Sequence, residues 1–454
     1  MTPHTDGIVH MMPKKDSSCF TFLDRSGKGA FVIYFFQVVT SILKVIIAII
    51  ITAVSLTIHP ELSGGTARGN EWIVDTSVSV RETYDDNLLF TEDNPLKDFY
   101  TTFTPSLNGF LNAEKNRFDF TSSADFKKYS RENDMDSKGS RFDFRTGISW
   151  SATPTPLSSH FIKTGYMRDT SVDSELETTG RPIADKDILS VTYVYRKWRS
   201  SKNLIRMTID GQHTMYKDSA YMDYSLGGGL LEWGHALDNE RLTLYGGIGY
   251  HAARGDMDDY RSLDATSEVK GGTMAYGDAR AGFIWEVSLL WKLEAFYGIQ
   301  YIDITYDPHL IVYQGRANML VDAENVVADT YTVRIRRDGE MSRLRIWGGR
   351  HILPSGEDLS IDSMYMNMDW QIDLTDYFTS AVTAGWRHSR SVSRYFTVDS
   401  ETCFGALMCR HEFTDHIVAE LSFRQSWLFD YEYDTKAVKN VVYVGVTINW
   451  NTLL

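Results

Sequence analysis

The sequence predicts an all-β fold: a single transmembrane, antiparallel, up-and-down β-barrel of about 16–18 strands, preceded by an N-terminal hydrophobic helix. Three observations carry this expectation. One continuous apolar run lies near the N-terminus, apolar and polar residues alternate with period two over most of the remainder, and short turns tend to alternate with long polar links. The length of 454 residues would allow two or three ordinary domains, unless one large β architecture takes up most of the chain. Aromatic residues make up 13% and charged residues 23%, with ten prolines and a net charge of −14. A disordered or collagen-like chain is thereby excluded. The acidic balance also argues against a nucleic-acid partner, which needs a basic face to neutralise phosphates. Cys19, Cys403 and Cys409 are too few for a disulfide scaffold or a Cys-rich zinc module.

The apolar run spans Ala30 to Ile58, with Gln37 and Lys44 as its strongly polar interruptions. Lys14, Lys15, Arg25 and Lys28 precede it, and Gly64-Gly65-Thr66-Ala67 follow. A basic region, an apolar centre and small residues form the order of a secretory signal. Gly65 and Ala67 at the −3 and −1 positions would start the mature chain near Arg68. The expected division is thus residues 1–67 as signal peptide with a long basic region and 68–454 as the barrel. Two alternatives stand beside it: initiation at Met11 or Met12, and retention of Val32 to Ile58 as a membrane anchor.

Beyond residue 70 no segment has the roughly 20 apolar residues of a spanning helix. The clearest strand places Met364, Met366, Met368, Trp370, Ile372 and Leu374 on one face, opposite Ser363, Tyr365, Asn367, Asp369, Gln371 and Asp373. The final run does the same with Val442, Val444, Val446, Ile448 and Trp450. Similar alternation covers Phe142 to Trp150, Ile205 to Ile209 and Ile417 to Phe423.

Short turns are expected at 113–116, 200–203, 238–240, 338–339, 375–376 and 414–415. Longer links are expected at about 85–98, 130–140, 170–187, 254–270, 307–325, 392–402 and 428–438. Short turns at one rim and long loops at the other characterise outer-membrane barrels, as do Trp and Tyr near strand ends. With both termini in the periplasm, the long loops face outward. A barrel of this size is wide enough for an aqueous channel.

Within this pattern stand Glu82-Thr83-Tyr84-Asp85-Asp86-Asn87 with Leu88-Leu89-Phe90, then Phe103-Thr104-Pro105-Ser106-Leu107. Later come Leu374-Thr375-Asp376-Tyr377-Phe378, Ala384-Gly385-Trp386-Arg387 and Asn440 to Val446. On these residues the chain resembles the β-barrel porins of Gram-negative bacteria associated with exopolysaccharide and exosortase-type (PEP-CTERM) surface systems. The resemblance extends as a pattern over residues 70 to 450. It implies an outer-membrane location and a role in export of surface polysaccharide. The chain differs from that pattern at its end, where Asn451-Thr452-Leu453-Leu454 follow Trp450.

The most informative local feature is Tyr331 to Trp347, in which Asp338-Gly339 joins two alternating runs. Asp-Gly there predicts a two-residue type I′ turn that pairs Arg337 with Glu340, Arg336 with Met341, Ile335 with Ser342 and Arg334 with Arg343. Arg334, Arg336, Arg343 and Arg345 then share one face. Arginine on the lipid face costs about 2–4 kcal/mol at the midplane, so this face must line the lumen. A basic ladder offers a track for an anionic polysaccharide. The alternative is that these arginines pair with lumenal Asp and Glu and fill the barrel.

The acidic groups Asp85-Asp86-Asn87, Asp134-Met135-Asp136 and Asp256 to Asp259 offer hard oxygen ligands for Ca²⁺ at the cell surface but lack EF-hand spacing, so solvated loops or cation bridges to lipopolysaccharide are expected, with a Ca²⁺ site as the alternative. Cys403 and Cys409, in an expected outside loop, invite a small disulfide. Gly227-Gly228-Gly229 reads as a bulge or close packing. No catalytic constellation, metal site or cofactor motif occurs. The expected partners are outer-membrane lipid and lipopolysaccharide, anionic polysaccharide and periplasmic export components. The expected function is a non-enzymatic, porin-like conduit. A closed anchoring barrel is the alternative, and an outer-membrane hydrolase a third reading for which no nucleophile stands out.

Overall fold

Alternation at period two puts successive side chains on opposite faces of a strand, so each such run can show lipid one face and water the other. A computed structural model describes residues 71–453 except 93–94, 131–140, 171–184, 218–220, 238–240, 265–266, 307–308, 314–315, 321–322, 355–359, 393–397 and 433. The expected signal, anchor and cleavage point at residues 1–67 lie outside the described residues.

The wall starts with β1 (Glu71–Asp85), β2 (Asp98–Ala113), β3 (Asn116–Tyr129), β4 (Arg141–Thr155), β5 (Ser158–Asp169) and β6 (Lys186–Trp198). It continues with β7 (Asn203–Tyr216), β8 (Asp223–Ala236), β9 (Leu242–Asp264), β10 (Ser267–Glu286) and β11 (Trp291–Tyr306). A rim hairpin follows, β12 (His309–Tyr313) with β13 (Arg316–Leu320). The wall resumes with β14 (Ala323–Asp338), β15 (Ser342–Leu353), β16 (Ile361–Thr375) and β17 (Phe378–Ser391), and ends with β18 (Asp399–Thr414), β19 (Ile417–Asp430) and β20 (Thr435–Leu453).

Each wall strand pairs antiparallel with its neighbour, β11 with β14 across the rim hairpin, and β20 returns to β1 with Val80 opposite Val446. The result is a closed, up-and-down barrel of 18 strands with no helix among the described residues. Closure leaves no free sheet edge, which a barrel in lipid requires.

Register fixes the two faces. Val327, Tyr331 and Val333 of β14 point outward, and so do Met366 and Trp370 of β16 and Leu421 and Phe423 of β19. Val327 and Ile248 are 69% and 66% exposed, as side chains meeting acyl chains should be. Outward-facing Trp150, Trp233, Trp285, Trp370 and Trp450 sit toward the short-turn rim, and Trp386 and Trp427 toward the other. This is an interfacial girdle.

Short turns and both described chain ends share one rim, as expected. Four of these turns use one device. The side-chain oxygen of Thr375 accepts from the N–H groups of Tyr377 and Phe378, that of Thr414 from His416 and Ile417, that of Ser288 from Leu290 and Trp291, and that of Ser200 from Lys202 and Asn203. Hydroxyl acceptance satisfies donors that a tight reversal would strand.

At the opposite rim the boundaries differ from expectation. Most of 254–270 is strand, because β9 and β10 continue as a long hairpin with two register shifts. The link expected at 428–438 shrinks to 431–434. A polar strand beyond the hydrocarbon can expose both faces to water, so polarity alone does not mark the strand end.

At this outer rim, links from distant parts of the barrel meet on the inner wall. Met222 of the β7–β8 link and Val392 of the β17–β18 link pack with Met274 and Tyr276 of β10 and Ile302, Ile304 and Tyr306 of β11. These five β10 and β11 residues alternate with outward Tyr297, Ile299 and Tyr301 and so face the lumen. They form an apolar collar inside the outer mouth.

Candidate functional site

The four arginines expected to form a lumenal ladder lie toward the short-turn rim. Arg334 and Arg336 alternate with outward Val333, and Arg343 and Arg345 alternate with Leu344, so all four arginines share the inner face. Their register is not the expected one. Asp338 lies opposite Arg343, Arg336 opposite Arg345, and Arg334 opposite Trp347, with Gly339 to Ser342 forming a four-residue loop. A type I′ turn needs positive φ at both central residues, and neither Asp338 nor Gly339 adopts it. Instead the Gly339 N–H donates to the Ser342 carbonyl and the Asp338 N–H to the Leu290 carbonyl. A shift by an even number of residues changes the partners but keeps each side chain on its face.

Three of the four arginines have acidic partners. Arg334 approaches Glu294 at 3.6 Å, Arg336 pairs with Asp338, and Arg343 approaches Asp373 at 3.7 Å. Arg345 forms no ion pair among the described residues, although Asp369 lies opposite it in register. Lys292 adds another lumenal cation, 3.3 Å from Glu294. The guanidiniums of Arg334 and Arg343 remain more than half exposed, so pairing leaves them in contact with water.

A second basic group is not evident in the sequence. Glu232 of β8 is 1% exposed and is held between Arg206 of β7 and Arg280 of β10, the latter at 2.7 Å. Each of the three residues occupies an inward position of its strand. The one available signal is parity: Glu232 interrupts Leu230-Leu231-Glu232-Trp233 on the face opposite Leu231 and Trp233.

Beside the ladder, a pocket of about 330 Å³ opens in the inner wall, with Trp347, Asn367, Asp369, Arg387, Phe404 and Arg424 in its lining. Trp347 stands two residues along β15 from Arg345, on the same face.

Other expectations resolve differently. Asp85 is buried and ion-paired with Lys439 at 3.0 Å, and both oxygens of Asp86 accept hydrogen bonds from Asn440. These carboxylates brace the outer end of the seam and are not a solvated loop. Asp134 to Asp136 lie outside the described residues, and Asp256 pairs with Arg254 at 3.0 Å. No group of metal-ligating side chains occurs among the described residues. Cys403 and Cys409 are free and belong to β18, not to a loop. Six residues along one strand separate their Cα atoms by roughly 20 Å, far beyond disulfide reach. Gly228 is close packing, as expected: a Cβ there would fall 2.2 Å from the His251 ring.

No family model matches this sequence, and no curated protein matches it. Several solved structures are similar at low identity. The copper transporter OprC shares 11% identity at a TM-score of 0.43, covering 80% of this chain and 62% of its own. OpdK of Pseudomonas aeruginosa, solved with vanillate, shares 9% at 0.40, covering 84% of this chain and 99% of its own. The ferric-catecholate import receptor Fiu from E. coli K12 shares 8% at 0.44, covering 85% and 82%. This chain thus spans about six tenths of the length of the copper transporter. On its own geometry, a closed, even-stranded antiparallel barrel with an apolar outer band and a polar inner wall is an outer-membrane protein.

Proposed function

We propose that the barrel is a passive outer-membrane conduit for anionic surface polysaccharide. Its lumenal ligands are Arg334, Arg336, Arg343 and Arg345. The single observation that carries this reading is the placement of all four on one inner face near the short-turn rim, three of them only loosely or locally paired and the fourth without an ion pair among the described residues. A polymer delivered by periplasmic export components would meet this basic patch first. Lipid and lipopolysaccharide are the partners of the outward face. Guanidiniums suit carboxylate-bearing chains because each offers several fixed donors, and pairing within the wall keeps the attraction weak enough for release.

The test is the reversal potential of the purified protein in planar bilayers under a salt gradient. Replacing the four arginines by serine should reduce anion preference. An unchanged reversal potential overturns the ladder's role. A second reading, a closed barrel that anchors a surface assembly, is favoured by the apolar collar at the outer mouth. Such a barrel would carry no current.

A further inference from the structure

We propose that the wall pocket between Trp347 and Phe404 is a subsite for an acidic sugar ring, the uronate unit of an anionic polysaccharide. This deepens the conduit reading and rests on it. Trp347, Asn367, Gly385 and Phe404 follow one another in register across β15, β16, β17 and β18, all on the inner face. Adjacent strands lie about 4.8 Å apart, so the two aromatic residues bound a trough roughly 14 Å wide at the backbone. Its floor is Asn367, and the Phe404 ring leans over Gly385. The glycine is required by close approach: a Cβ there would fall 2.2 Å from Phe404 Cε1 and 2.6 Å from Asn367 Oδ1.

Two cations are fixed at the trough, each by a ring and a hydroxyl. The Arg424 guanidinium lies 4.3 Å from the Phe404 ring centroid, and its Nε donates to Ser426 Oγ at 3.2 Å. The Arg387 guanidinium lies 5.2 Å from the Tyr365 centroid, and its Nη1 donates to Ser363 Oγ at 2.7 Å. Both line the same pocket, with Asp369 its one acidic side chain among the described residues. Cations held in place by stacking lose little freedom when they bind a carboxylate.

The chemistry matches a uronate part by part. The face of Trp347 offers apolar surface to the C–H face of a pyranose, Asn367 and Asp369 offer hydrogen-bonding groups to hydroxyls, and the guanidiniums take the carboxylate. The volume, about 330 Å³, lies at the small end of ligand sites and holds a short piece of chain, not a folded partner. Arg345 on the same face of β15 links this subsite to the ladder.

The experiment uses the full-length protein in planar bilayers with trigalacturonate, and neutral maltotriose for comparison. Trigalacturonate should interrupt the current at concentrations about tenfold below maltotriose, a difference of ~1.4 kcal/mol. Trp347→Ala and, as a milder change, Arg424→Lys should each raise the blocking concentration of trigalacturonate, with compact migration on unheated gels showing that the variants fold. Equal block by both sugars overturns the uronate assignment while leaving the conduit intact. Block unchanged in the folded variants overturns the pocket. If the protein carries no current the conduit reading falls, and calorimetry with trigalacturonate decides the subsite: heat lost in either folded variant supports it, and no heat from the unaltered protein overturns it.

Discussion

Glu232 shows how the interior is charged. A carboxylate this deeply buried is tolerated because Arg206 and Arg280 both reach it. Removing the acid would strand two neighbouring cations. Glu232→Ala should therefore lower unfolding stability by about 3 kcal/mol, the lower end for uncovering buried charge, since both guanidiniums retain contact with the lumen. Denaturant unfolding in detergent micelles measures this directly. The shared inner face of Arg334, Arg336, Arg343 and Arg345 is legible in the amino-acid order alone because the four fall within one short stretch and their parity is visible. The Glu232 cluster joins residues 26 and 48 positions apart, in strands whose pairing only the sheet reveals. The cysteine pair fails for a related reason. The loop expected at 392–402 ends earlier than its polarity suggests, so β18 takes in both cysteines, and along a strand equal parity brings side chains to one face without bringing them together.

Strands are where the sequence is most informative and turns where it is least. Parity assigns the lipid face of β16 and β20 correctly, since a one-residue slip would bury every polar side chain in hydrocarbon. The Asp338-Gly339 turn misleads because β14 is held by β11 on one flank and β15 by β16 on the other, so the sheet, not the dipeptide, sets their register. The Ser and Thr turns are legible as reversals, but their hydrogen bonds are not. Two consecutive, exposed residues of β14 test the face assignment. Val333→Arg places a charge on the lipid face between the midplane and the short-turn interface and should cost about 1–2 kcal/mol, while Thr332→Arg places it in the water-lined interior and should cost far less. Comparable losses in lipid-vesicle unfolding would contradict the assignment.

At the scale of the molecule, closure depends on the pairing of β1 with β20, the wall strands farthest apart in sequence. Until that seam forms, β1 and the last strand yet assembled are bare edges, and closing the longest loop carries the largest entropy loss. Val446→Pro removes a backbone donor in mid-strand and should abolish the fast-migrating folded form on unheated gels, while Val446→Ile should preserve it. A proline variant that still migrates as the compact form would show that the seam is dispensable.

The collar of Met222, Val392, Ile302, Ile304 and Tyr306 makes the two entrances unequal. Ile302 and Ile304 are sealed from water beneath the links that carry Met222 and Val392, so packed chain narrows the outer mouth while solvated guanidiniums line the short-turn mouth. If such a tube passes current, its dissimilar ends should make that current unequal under the two signs of applied voltage, an asymmetry of the fixed wall that needs no moving part.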